Sequence, residues 1–169
     1  MENKIKYLVM DVDGTLTDGK IYMGYNGEAM KAFNVKDGCG IHDILIPAGI
    51  IPVIITGRRS LILENRCREL EIINLYQGVK NKVAVLDQIL SDSEYEYSSV
   101  AYIGDDINDL SCMRKVKVQG GILGCPADSV NEVIEISDYV CEKKGGEGAV
   151  REFIEWLMKT NKGGCTSAE

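Results

Sequence analysis

Short runs of β-branched and aliphatic residues alternate with segments of helical apolar spacing along most of this chain, and that alternation restricts the fold more than any other feature. The strand-like runs are residues 5–12 (IKYLVMDV), 51–56 (IPVIIT), 73–76, 100–104 (VAYIG) and 139–140. Between them, apolar residues recur with helical period in 41–48, 60–70, 82–90, 109–115 and 129–134, and again in 149–159 after the last strand. Strands that are apolar on both faces belong to parallel sheets, because crossover helices cover both sides. The pattern predicts an α/β fold with a doubly wound, Rossmann-like parallel sheet. With 169 residues and 45% hydrophobic content, the chain suits one core. We expect one domain over 1–161 and a disordered polar tail over 162–169 (KGGCTSAE).

One stretch breaks the rhythm. Residues 19–35 (GKIYMGYNGEAMKAFNV) carry Asn26-Gly27 between two strand-like runs, which is the signature of a β-hairpin. An isolated two-stranded ribbon is marginal in water, so Ile21, Tyr22, Met23, Tyr25, Met30 and Phe33 need something to pack on. Their own domain and a neighbouring subunit both fit.

Composition excludes several classes. Lys and Arg number 19 against 26 Asp and Glu, a net charge of −7, so there is no basic footprint for nucleic acid. No apolar run reaches the ~18 residues of a membrane helix, and the opening MENKIKY leads into a strand without a signal-peptide core. A cytoplasmic protein is expected. The six cysteines form no CxxC pair and suit reduced structural thiols. His42 is the only histidine, which excludes a zinc site built on several imidazoles and leaves carboxylates to carry the chemistry.

The carboxylates cluster at strand ends. Asp11 and Asp13 follow the first strand, on one side of an extended segment, where doubly wound sheets bind ligands. Gly104-Asp105-Asp106 follows a later strand, with Asp109 close behind. Gathered together, these acids repel one another unless a cation is present, and hard oxygen ligands favour Mg²⁺. A third strand ends in Thr56-Gly57-Arg58-Arg59-Ser60, where either a phosphate settles among the amides and guanidinium groups or Thr56 simply caps a helix. Lys80 and Lys82 stand at a helix start, against the dipole, and either meet an anion or lie on the surface.

The ordered set Asp-x-Asp, Thr-Gly, Lys and Gly-Asp-Asp resembles the haloacid dehalogenase superfamily of phosphatases. Residues 11–41 (DVDGTLTDGKIYMGYNGEAMKAFNVKDGCGI), 54–60 (IITGRRS), 75–82 (LYQGVKNK), 101–110 (AYIGDDINDL) and 145–152 (GGEGAVRE) resemble its capless 3-deoxy-D-manno-octulosonate 8-phosphate phosphatases. The resemblance implies that no cap domain is present, that Asp11 is the nucleophile and forms an aspartyl-phosphate, and that Asp13 is the general acid and base. It further implies Mg²⁺ on the Asp11 carboxylate, the Asp13 main-chain carbonyl and Asp105, supported by Asp106 and Asp109, with Thr56 and Lys82 on the phosphoryl oxygens. Implied substrate contacts are Asp13, Asn34, Val35, Lys36, Asp37, Gly38, His42, Gly57, Arg58, Arg66, Lys82 and Asp106. A homotetramer is implied as well, the hairpin of one subunit covering a neighbour's site.

The chain departs from the family at Lys36 and Glu147, where the family usually has Arg, and at His42, where it has Arg or a similar residue. Glu147 is the change that matters most, because an anion near an anionic sugar weakens carboxylate binding. Nonulosonate 9-phosphate phosphatases resemble this tail, whereas Arg58 follows the octulosonate pattern, so both substrates stay open. His42 is read either as a polar helix residue or as a substrate contact. A phospho-accepting receiver domain uses similar residue types, but there the phosphorylated Asp follows a central strand of the sequence, not the first.

Overall fold

The computed structural model describes residues 4–161. In chain order the strands are β1 (Tyr7–Met10), β2 (Tyr22–Gly24), β3 (Gly27–Met30), β4 (Ile51–Thr56), β5 (Asn74–Gln77), β6 (Val100–Ile103), β7 (Ile122–Cys125) and β8 (Tyr139–Val140). The helices are α1 (Val35–Cys39), running on into a π-helical segment (Gly40–Leu45), then α2 (Leu61–Glu69), α3 (Lys82–Ser91), α4 (Leu110–Val118), α5 (Asn131–Ile134) and α6 (Ala149–Asn161). Six strands form one sheet in the order β5-β4-β1-β6-β7-β8, parallel throughout, and β2 pairs with β3 in a separate antiparallel ribbon. This is the doubly wound sheet that the alternation predicts.

β1 lies at the centre. Met10 stands opposite Ile54 of β4 and Ile103 of β6, so the residues that follow all three strands leave from one edge of the sheet. Side chains of β1 alternate between two cores. Leu8, Met10 and Val12 join Leu63, Ile41, Leu45 and Ile154 on the face covered by α1, α2 and α6. Tyr7 and Val9 join Leu86, Met113 and Val116 beneath α3 and α4. Asp11 continues the parity of Tyr7 and Val9, and its carboxylate therefore meets the start of α3.

The structure differs from the sequence reading at three elements. β7 is an additional strand. Gly121 and Gly124 dilute its strand propensity, and Gly124 is required by packing, since a Cβ there would sit 2.5 Å from Phe153 Cε2. The helix expected over 41–48 begins six residues earlier, at Val35, with Asn34 Oδ1 accepting from Lys36 N at 2.8 Å. Gly38 and Gly40 hide that helix in the sequence. A Cβ would lie 2.3 Å from Arg66 Nη2 at the first and 2.9 Å from Arg151 Cδ at the second. Third, the hairpin turn is shifted by one residue, because Gly27 already belongs to β3 and pairs with Gly24. Phe33 packs against the core of its own domain, one of the two partners open to it.

The hairpin turns through Tyr25 and Asn26, one residue before the expected Asn26-Gly27, and Gly27 opens β3 with φ 110°. Ile21, Met23, Tyr25 and Met30 lie exposed on it, and Tyr25 is fully so. All five cysteines among the described residues are unpaired, and Cys67, Cys112, Cys125 and Cys141 are buried. Among the described residues no helix is long and apolar enough to cross a membrane. The expectation for 162–169 lies outside the described residues.

Candidate active site

Two loops leaving the sheet edge, after β1 and after β6, bring carboxylates together. Ligand atoms of Asp11, Asp105 and Asp109 all lie within 4.8 Å of one another. Lys82, the first residue of α3, sends its buried ammonium between two of them, 2.6 Å from Asp11 Oδ1 and 2.7 Å from Asp109 Oδ1. Its helix is capped one residue earlier by Asn81, which accepts from Ala84 N at 3.1 Å. The buried Tyr102 hydroxyl donates to Asp109 Oδ1 at 2.7 Å, and the amide of Asp105 reaches Asp109 Oδ2 at 3.3 Å. Asp109 thus has its oxygens occupied by the protein. Asp105 accepts from the Thr15 hydroxyl at 2.8 Å.

Asp11 and Asp109 share one ammonium, and the protons of Asp11 and Asp105 show the crowding. Burial, reinforced by Asp109, pushes the Asp11 carboxyl up to about 6 in spite of Lys82. Burial, with Asp11, Asp109 and Asp106 adding to it, pushes Asp105 up to about 7. Burial disfavours the charge on Lys82, but Asp11 and Asp109 outweigh it and hold the pKa above the usual lysine value. A buried pocket with more anions than cations suits a divalent metal with oxygen ligands. Gly14 is part of this cradle, because a Cβ there would lie 2.0 Å from Asp105 Oδ2.

Asp13 sits at the rim, partly exposed. Its Oδ1 is paired with Lys31 of the hairpin, and its Oδ2 lies 3.9 Å from Arg58 Nε. Thr56 ends β4 almost fully buried, and its carbonyl accepts from Val79 N at 3.0 Å. It does not cap α2. Ser60 does, with its hydroxyl accepting from Leu63 N at 3.2 Å. Lys82 is likewise no surface lysine.

The remaining substrate candidates fall into two groups. Gly57, Arg58 and Asp106 are exposed on loops leaving the edge of the sheet that carries the carboxylates. Val35, Gly38, His42 and Arg66 line a separate depression of about 230 Å³. There His42 pairs with Asp43 at 2.6 Å, and Arg66 with Glu69 at 2.8 Å. Lys36 is exposed beside them. Asn34 turns inward, donating to the Gly146 carbonyl at 3.2 Å. Asp37 is only 1% exposed, and its Oδ1 accepts from Arg151 N at 2.8 Å, which ties it to the first turn of α6.

Two features escape sequence reasoning. Lys31 carries no motif, yet its side chain is 3% exposed and joined to both Asp13 and Glu28. The Gly145-Gly146 turn presses on the loop after β1, where a Cβ at Gly145 would lie 1.8 Å from the Gly14 carbonyl oxygen. Gly146 N also donates to Thr15 O at 3.1 Å. The signal for this contact was the double glycine before a helix.

A parallel sheet that delivers an Asp-x-Asp pair, a threonine, a buried lysine and an acidic loop to one edge is laid out as a hydrolase of the haloacid dehalogenase superfamily. No family model matches the chain, but individual proteins do. The 3-deoxy-D-manno-octulosonate 8-phosphate phosphatase of Escherichia coli K12 is 45% identical over 154 residues, covering 91% of this chain and 79% of the relative. A Moraxella catarrhalis phosphatase of the same name, solved with magnesium ion, phosphate ion and KDO, superposes with TM-score 0.87 at 38% identity, covering 95% of this chain and 90% of that one. The cobalt-bound Haemophilus influenzae enzyme gives TM-score 0.86 at 34% identity, covering 94% and 90%. The chain belongs to the 3-deoxy-D-manno-octulosonate 8-phosphate phosphatase family, and its class is that of phosphoric monoester hydrolases.

Proposed function

We propose that this protein releases phosphate from 3-deoxy-D-manno-octulosonate 8-phosphate through an aspartyl-phosphate intermediate, with Mg²⁺ as cofactor. The observation that carries the reading is the buried Asp11–Lys82–Asp109 arrangement beside Asp105, in a chain whose relatives bear that activity in their names. Asp11, the Asp13 carbonyl and Asp105 would hold the metal. The donors are all hard oxygens, and the elevated protons of Asp11 and Asp105 mark a pocket short of positive charge. Bound there, Mg²⁺ neutralises charge on the phosphoryl oxygens.

The residues divide the chemistry in two. A carboxylate oxygen of Asp11 bonds to phosphorus as the ester P–O bond breaks, and the departing alkoxide takes a proton from Asp13. Water then attacks the same phosphorus and yields its proton to Asp13, which frees the Asp11 carboxylate and inorganic phosphate. Lys82 keeps Asp11 ionised and in place, and Thr56 offers a hydroxyl at the edge where the phosphoryl group would lie.

The exposed Ile21, Met23, Tyr25 and Met30 support a homotetramer in which hairpins cover neighbouring sites. The separate depression at Val35, Gly38, His42 and Arg66 fits the same arrangement, because one chain does not unite it with Asp11. The unpaired thiols suit work in the cytoplasm.

Glu147, exposed on the turn that supports the loop after β1, keeps a nonulosonate 9-phosphate as the second reading. Phosphate release with Mg²⁺ from the octulosonate 8-phosphate, a nonulosonate 9-phosphate and a hexose 6-phosphate, at matched concentration, decides between them. Preference for the eight-carbon acid upholds the proposal, preference for the nine-carbon acid moves it to the second reading, and no turnover of any overturns both.

A further inference from the structure

Lys31 is placed where neither the motifs nor hairpin packing require a cation. Its side chain is 3% exposed, and its ammonium is paired with Asp13 Oδ1 and, at 3.0 Å, with Glu28 Oε1. Glu28 is fixed in turn, since the Ser60 hydroxyl donates to its Oε2. The side chains of Asp13 and Glu28 are 18% and 13% exposed, so the whole chain of contacts is largely out of water. Removing an ammonium from water costs several kcal/mol unless carboxylates surround it, and an apolar residue would pin the hairpin base without that cost. What an apolar residue lacks is a grip on Asp13.

The grip is one-sided. Oδ1 of Asp13 is held by the buried lysine, whereas Oδ2 faces Arg58 Nε at 3.9 Å, too far for a hydrogen bond. One oxygen is anchored and the other is left for proton traffic. The Asp13 carboxyl lies at the rim on a loop, so without an anchor its side chain has rotamer freedom to lose.

We propose that Lys31 is a positioning residue for the general acid, locking the Asp13 carboxyl through Oδ1 so that Oδ2 delivers the proton to the departing sugar oxygen. The clasp Asp13–Lys31–Glu28–Ser60 thereby fixes the acid to both the hairpin and the start of α2. The inference rests on the phosphatase reading above and deepens it.

Leaving-group dependence tests it. A sugar alkoxide leaves poorly without a proton, whereas p-nitrophenolate leaves without help. Lys31→Met should therefore lower kcat on 3-deoxy-D-manno-octulosonate 8-phosphate about 100-fold and on p-nitrophenyl phosphate less than about fivefold, with Lys31→Arg recovering part of the loss. Glu28→Gln, which loosens the far end of the clasp and keeps the lysine, should show the same asymmetry at roughly a tenth of the size. Circular dichroism on each variant should match that of the wild type, which separates loss of positioning from loss of fold. Equal losses on both esters, no loss, or a rise in KM alone would overturn the inference. Wild-type enzyme that turns over neither ester with Mg²⁺ would instead overturn the phosphatase reading itself.

Discussion

Lys82 Nζ lies 2.6 Å from Asp11 Oδ1, with both side chains sealed from water. The contact spans 71 residues and joins the loop after the central strand to the first turn of α3. Its removal exposes the cost of the arrangement, because Asp11 and Asp109 would then face each other without a cation. Lys82→Met should abolish turnover and destabilise the fold by about 3–5 kcal/mol, read from the denaturant midpoint. Adding Asp109→Asn should restore part of the stability and none of the activity.

Metal binding should be steeply pH-dependent. The folded-state carboxyls of Asp11, at about 6, and Asp105, at about 7, both lie above the ordinary value of 3.8. Without metal, the native state therefore holds extra protons between about pH 4 and 7, and stability falls as pH rises through that window. Mg²⁺ reverses the sign, since its ligands must be deprotonated. Calorimetry should show Mg²⁺ affinity falling by up to ~tenfold per unit between about pH 7 and 6 and by up to ~100-fold per unit below that, with proton release on binding. Asp105→Asn should erase the rise in Tm that Mg²⁺ produces.

Asp37 offers a second titration, away from the metal. Burial pushes its carboxyl up to about 6 although the α6 amides pull it down, and its Oδ2 is buried without a hydrogen-bond partner. A raised carboxyl stabilises the fold when protonated and loses that contribution as pH climbs from about 4 through 6. Asp37→Asn keeps an acceptor for Arg151 N and removes the charge. It should be more stable than wild type at pH 7 by roughly 1–3 kcal/mol, a gap that closes by about pH 4 in paired thermal melts.

Charge placed on the hairpin should break the homotetramer proposed above. Met23 and Tyr25 are exposed, and in that assembly aspartates there would meet a neighbour's apolar surface. Light scattering should move from the mass of four chains to that of one for the Met23→Asp/Tyr25→Asp double variant, with turnover falling in parallel. An unchanged mass would remove the hairpin from the interface.

Strand-end chemistry was legible in the sequence because each acid or hydroxyl directly follows an apolar run, so Asp11, Thr56 and Asp105 reach one edge through sheet topology alone. Lys82 was legible as a lysine against the helix dipole, although only tertiary structure shows it buried between two carboxylates. The elements that were missed are glycine-rich. β7 and the first turns of α1 carry glycines demanded by Phe153, Arg66 and Arg151, and these long-range packing needs erase the local signal. Lys31 was invisible for a related reason: an ion pair 18 residues apart has no periodicity.

The turn at Gly145 and Gly146 also sets an order of events. It is made after every strand of the sheet, yet it supplies the contact to Thr15 and the acceptor for Asn34, 112 residues away. During synthesis the loop after β1 therefore emerges early and lacks this brace until the turn before α6 is made. A partly made chain holds Asp11 and Asp13 without the last contact of their frame.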